Sequence, residues 1–280
     1  MRYFTPRFQI ATLVGEQRNL ISKIGGVPWG LPEDFWPSCC DRPMKLLAQL
    51  CHEPPILDLG APGAVLHLFQ CLDCLGIGPE EVGGTAFIIN QSHLERGLVR
   101  VAGHDEEGEL GNRLIGEFWI TGWDEHDDGI PAERMPEFFI EKDLWKLQDE
   151  YPHIEWFDPR EKTKFGGTPR WTGNGPMGFP RSPFEFLLQI DNLLFLSGPP
   201  PNANEAGCSI TEYSDDQSTE SVHTKPEPGA ERINAPWGIM RERTADDFYA
   251  EFTNLGTDGT LYVFIDRTQQ PHRVKWIWNR

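Results

Sequence analysis

The phrase KIGGVP (23–28) recurs, with two changes, as KFGGTP (164–169). No other feature constrains the fold as much, because the likeness continues downstream in the same order. PMKLLAQL (43–50) is matched by PFEFLLQI (183–190), and LGAPGAVLHLFQ (59–70) by LGTDGTLYVFID (255–266). Three matches in one order mean a duplicated unit, and a repeat on this scale repeats supersecondary structure. The paired glycines permit positive φ or a close backbone approach, and the proline two positions later sets an extended or turn geometry. MKLLAQL and FEFLLQI are short, mostly apolar runs bounded by proline. AVLHLFQ and GTLYVFID follow glycine-containing turns. All four read as strands, so each copy should contribute neighbouring strands to a sheet.

Between the copies, TAFIIN (85–90), GLVRVAG (97–103) and LIGEFWITGW (114–123) are further strand candidates. PEFFIEKDLWKLQDEY (136–151) opens on proline and repeats apolar residues at helical spacing, which predicts a helix packed on the sheet. The expected class is α+β and β-rich, with few helices. The expected organisation is a single domain, 1–280, in two related halves, about 1–135 and 136–280. The second copy is interrupted by a stretch rich in Pro, Ser, Asn and acids (197–238), which reads as a long loop of the kind that is either functional or disordered.

A Gly-Gly pair beside a lysine resembles a phosphate loop at first glance. A P-loop, however, needs its lysine after the glycines and a run of backbone N–H donors, and here the lysine precedes them and a proline follows. The repeated phrase therefore reads as a turn that starts each repeat. Cys39, Cys40, Cys71 and Cys74 offer four thiols, and QCLDC has C-x-x-C spacing, so a tetrahedral zinc site was weighed. Adjacent cysteines in an extended chain point to opposite faces. On that argument the expectation is ordinary thiols, with no metal and no cofactor. G-x-S-x-G and H-E-x-x-H are absent from the sequence. His67, inside VLHLFQ, reads as a core histidine with a satisfied ring, and His52 similarly. The expectation is that the chain is not an enzyme.

Forty-three acidic against 25 basic side chains give a net charge of −18. Such a field repels nucleic acid and anionic membrane and attracts basic partners. The N-terminus lacks the continuous apolar core of a signal peptide, and no stretch is long and apolar enough for a membrane span, so a cytoplasmic location is expected. The acidic clusters GHDEEGE (103–109) and GWDEHDDGIP (122–131) invite a calcium reading, but Asp124, Asp127 and Asp128 miss the EF-hand register, which leaves solvated loops or, together with YSDDQSTE (213–220), a negative recognition surface. The candidate partner-binding residues are Asp124, Glu125, Asp127, Asp128, Asp215 and Asp216. Their expected partner is a basic protein, most plausibly a nuclease-like toxin. The runner-up is a small-molecule site between the halves, framed by the two Gly-Gly turns.

SKIGGVPWGLPEDFWP, PMKLLAQL, FGGTPRWTGNGP, PFEFLLQID and GTLYVFIDR together resemble the YwqG-like family of bacterial domains, over roughly residues 20–280. That resemblance implies two intertwined β-rich halves and supplies no catalytic set. Some members look like immunity proteins that bind a cognate toxin. A more distant likeness is to the programmed cell death protein family that chaperones a ribosomal protein, whose zinc-binding cysteine pattern is incomplete here; it implies a zinc-supported chaperone of a basic client.

Overall fold

Both Gly-Gly pairs take the left-handed backbone that their residue type allows, with φ of 67° and 70° at Gly25 and Gly26 and of 76° and 64° at Gly166 and Gly167. Each pair ends a short strand and turns the chain out of the sheet. The computed structural model describes residues 1–11, 17–71, 83–95, 116–154, 156, 161–172, 178–196, 209–213, 219–223, 238–242, 248–251 and 259–279. The predicted strand at 97–103 lies outside these residues.

In chain order the first half holds β1 (Arg2–Ile10), β2 (Lys23–Ile24), β3 (Ser38–Cys39), β4 (Arg42–Pro43), β5 (Lys45–Cys51), β6 (Ala64–Gln70) and β7 (Gly84–Asn90). Then come β8 (Phe118–Asp127), a 3-10 stretch (Ala132–Phe139) and α1 (Glu141–Glu150). The predicted helix thus begins later than proline suggested. Pro136 sits inside the 3-10 stretch, and extended backbone at Ile140 separates it from α1. The rest is β9 (Lys164–Gly166), β10 (Phe184–Asp191), β11 (Leu193–Leu196), β12 (Ser209–Tyr213), β13 (Thr219–His223), β14 (Gly238–Glu242), β15 (Phe248–Glu251), β16 (Thr260–Asp266) and β17 (Arg273–Asn279).

Ten strands form one antiparallel sheet in the order β17-β16-β10-β9-β1-β8-β2-β5-β6-β7. The order is a palindrome in structural terms. β7-β6-β5-β2 on one side answers β17-β16-β10-β9 on the other, and β8 and β1 lie paired at the centre. The copies are interlocked there. Phe4 of β1 pairs with Phe165 of the second copy, while Phe118 of β8 pairs with Ile24 of the first. Each Gly-Gly strand is therefore completed by a strand from elsewhere in the chain, and by structural equivalence the second unit starts at β8. The bulges also correspond, between Leu46 and Ala48 in β5 and between Phe186 and Leu188 in β10.

One detail of the sequence match is corrected by the pairing. Aligning the glycines of LGAPG and LGTDG sets His67 against Val263. The register instead pairs His67 with Gln49 and Tyr262 with Gln189, which makes His67 and Tyr262 equivalent. A slip of one residue exchanges the faces of a strand. The structural register keeps Phe69 and Phe264 on the outer face of both copies, in their separate outer cores.

The inner core joins Phe4, Ile24, Leu66, Phe118, Phe165, Leu188 and Val263 from both copies. Full burial of each such side chain contributes about 1.5–3 kcal/mol. β7 and β17 meet along a seam, where Trp276 Nε1 donates to the Thr85 carbonyl at 3.4 Å. Gly84 is required there, because the Trp276 ring occupies the space a Cβ would need. The stretch read as a loop at 197–238 contains β12 and β13. They belong to a five-stranded sheet, β11-β15-β14-β12-β13, in which β12 and β14 run parallel. Leu194, Leu196, Phe248 and Ala250 tie that sheet to the inner core.

Candidate functional site

The acids of β8 meet cations of β1, because register pairs Arg2 with Asp127 and sets Arg7 opposite Gly122, diagonal to Asp124. Arg7 Nε reaches both Asp124 oxygens, at 3.1 and 2.9 Å, and holds that carboxyl below its ordinary range. Arg2 Nη1 lies 3.3 Å from Glu125. Asp127 accepts from the Gly129 N–H at 2.8 Å and from the Met1 ammonium at 3.0 Å, and its pKa is lowered, chiefly by the Gly129 bond. These three carboxylates remain at the surface, and exposed pairs of this kind contribute only about 0–1 kcal/mol. Asp128 departs from the expectation of a surface contact, since its side chain is fully enclosed. Its Oδ1 accepts from Ile130 N at 3.0 Å, and its Oδ2 from Thr168 N at 3.2 Å and Thr168 Oγ1 at 2.9 Å. Asp128 thus fixes the second Gly-Gly turn. Asp215 and Asp216 lie outside the described residues.

The repeated phrase builds the same polar node twice. Gln49 Oε1 accepts from Trp29 N at 2.8 Å and its Nε2 donates to the Ile21 carbonyl at 3.0 Å. Gln189 Oε1 accepts from Arg170 N and its Nε2 donates to the Lys162 carbonyl, both at 2.7 Å. Ser22 Oγ accepts from Cys51 N at 2.9 Å, and Thr163 Oγ1 from Asp191 N at 3.0 Å. Each glutamine ties the chain entering the Gly-Gly turn to the chain leaving it. The Glu117 side chain fills the space beside Gly26, and Tyr3 that beside Gly167.

Both lysines of the phrase are fully buried. Lys23 Nζ donates to the Val27 carbonyl at 2.5 Å and stands 3.3 Å from Glu117 Oε1. Burial pushes its pKa down to about 8, against the pull of Glu117. At the equivalent place beside Lys164 stands Tyr3, whose ring centroid is 4.5 Å from Nζ. Among the described residues that Nζ has no hydrogen-bond partner. Burial, and then the Arg170 charge, hold Lys164 well below its ordinary range. Arg170 lies over the Trp156 ring and 3.5 Å from Glu161.

His67 is in the core, as expected; among the described residues neither ring nitrogen has a partner in hydrogen-bond geometry. Phe69 and Phe87 stack near it, and burial pushes its pKa down to about 3, so it stays neutral and is no general base near pH 7. His52 is satisfied, its Nδ1 accepting from Leu59 N at 3.0 Å.

The cysteines converge where the sequence argued they would diverge. β3 and β4 form a tight hairpin whose two central residues, Cys40 and Asp41, both have positive φ, 52° and 59°. This is the backbone of a type I′ turn. The neighbours are therefore not extended, and the Sγ atoms of Cys39 and Cys40 lie 3.8 Å apart. Cys71, just past β6 and buried, brings its Sγ to the same place, with all three sulfurs within 4.8 Å of one another. Cys74 lies outside the described residues. The hairpin is held down by Trp36, whose Nε1 donates to the Met44 carbonyl at 3.0 Å and whose ring packs 5.9 Å from that of Phe69.

Two cavities lie among the described residues. One of about 370 Å³ follows the β7/β17 seam, with Thr85, Trp276 and Trp278 in its wall. Another, of about 1090 Å³, lies under the 3-10 stretch and is mainly apolar, with Phe139, Phe179 and Phe186 in its lining. No helix of the described residues is long and apolar enough to cross a membrane. No protein-family model matches this chain, and no curated protein does.

Proposed function

We propose that this chain is an acidic interaction protein that binds and inhibits a basic protein, in the manner of an immunity protein against a nuclease-like toxin. Its resemblance to the YwqG-like family, carried by the two Gly-Gly phrases and the strands that follow them, points the same way. The observation that carries the reading is where the charge resides. The described interior encloses four acids, Glu117, Asp128, Asp191 and Asp266, against three cations, Lys23, Lys164 and Arg170. These nearly cancel, so almost all of the −18 is left to the remainder of the chain. A net field of that sign speeds encounter with a basic surface and disfavours acidic ones.

The test is capture from the lysate of the producing cell on immobilised protein, eluted along a salt gradient. A basic protein should leave as salt rises, since exposed charge is screened within about 8 Å at physiological ionic strength. Coexpression should then relieve the toxicity of that protein. If no basic protein is retained at low salt, or if the captured protein stays toxic in coexpression, the reading fails.

A further inference from the structure

The geometry points to a structural zinc site at Cys39, Cys40 and Cys71. Zinc binds thiolate sulfur at about 2.3 Å in a tetrahedral shell, which places neighbouring sulfurs about 3.8 Å apart. Cys39 and Cys40 already have that separation, 3.8 Å, and Cys71 is within 4.8 Å of both. A disulfide needs sulfurs about 2.05 Å apart, so this is not the spacing of a bonded pair. The three donors are all sulfur, which selects a soft or borderline cation and disfavours magnesium or calcium.

The three thiols come from two segments that the fold brings together independently. Cys39 and Cys40 ride on the β3/β4 hairpin, anchored by the Met44 N–H to Pro37 carbonyl bond at 2.9 Å and by Trp36. Cys71 follows β6, with its N–H bonded to the Gly83 carbonyl at 2.5 Å. Zinc here ties the hairpin to the end of a core strand. The three thiolates make three corners of a tetrahedron, and a water can take the fourth. Binding requires the thiols to lose their protons, so affinity falls as pH is lowered.

The experiment is elemental analysis of the full chain, purified without a metal-affinity tag, followed by cobalt substitution. The expected result is one zinc per chain, and in the cobalt form a thiolate-to-metal charge-transfer band with the intense visible absorption of a tetrahedral site. Cys39→Ser and Cys71→Ser should each lower zinc retention at least tenfold, while Cys51→Ala, in β5 and away from the cluster, should keep it. Cobalt binding by the unaltered chain keeps the test decisive if the serine variants fail to fold. Zinc no higher than the buffer blank with no cobalt–thiolate band overturns the proposal, as does full zinc retention by folded Cys39→Ser and Cys71→Ser.

Discussion

At Lys23 and Lys164 the same backbone holds the same residue in two different electrical settings. The first copy gives its buried ammonium a carboxylate, Glu117, and a carbonyl; the second gives it the face of Tyr3 and the nearby charge of Arg170. The glutamine brackets, the positive-φ glycines and the bulges are common to both. What the copies share is therefore backbone geometry, and where they differ is charge. The outer faces differ in the same spirit. Phe138, Leu144 and Leu147 from the 3-10 stretch and α1 cover the second outer core, whereas loop residues Trp29 and Leu31, with Met44 and Cys71, cover the first. A metal at the cysteines would staple the half whose outer core, among the described residues, is covered by loops.

The largest effect is expected from Gly26→Val. The position needs φ of 70°, and Glu117 already fills the space a Cβ would take. The loss should exceed about 4 kcal/mol, seen as failure to accumulate folded protein. Gln49→Leu and Gln189→Leu should each cost about 3 kcal/mol in urea denaturation, because each leaves a buried N–H and carbonyl unpaired. Equal losses would sharpen the equivalence of the two nodes; a large loss at only one would break it.

Titration separates the copies further. A lysine whose folded pKa lies below its unfolded value destabilises the fold wherever both states carry the proton. That penalty fades as pH rises from the folded pKa towards the unfolded one. For Lys23 the window opens near pH 8. Stability should therefore rise from pH 8 to about 10. Above that range Tyr3 and Tyr262, whose hydroxyls burial pushes up, act in the opposite sense. Urea midpoints across the range measure the slope, and Lys23→Met should lessen it, leaving the part that Lys164, also held low, supplies. The smallest effect is expected at Arg7→Ala. Its exposed pair with Asp124 should be worth less than about 1 kcal/mol, by the same denaturation assay.

Much of the frame was legible in the sequence. The two Gly-Gly turns, β5 with β10 and β6 with β16 follow from apolar runs bounded by glycine and proline. The interlock was visible only as a family expectation, because the choice of β9 as the partner of β1 is a long-range decision that no local pattern encodes. β12 and β13 were hidden by a composition rich in proline and acids. The cysteine convergence was missed because it rests on positive φ at Cys40 and Asp41, which non-glycine residues seldom adopt. Asp128 looked like its neighbours in an acidic run, and only packing against Thr168 made it internal.

The repeated Lys-Gly-Gly phrase shapes the backbone of each copy in the same way, while its lysine meets a different charge in each. Urea denaturation of Lys23→Met beside Lys164→Met tests it most directly. Removing Lys23 takes the counter-charge from the buried Glu117 carboxylate, which keeps its hydrogen bond from Trp119 Nε1 at 2.8 Å, and should cost about 3 kcal/mol. Removing Lys164 discards a buried amine that has no hydrogen-bond partner among the described residues, and should leave stability unchanged or raise it. If Lys164→Met instead loses as much as Lys23→Met, its ammonium has a partner that the fold alone does not supply, and the claim is contradicted.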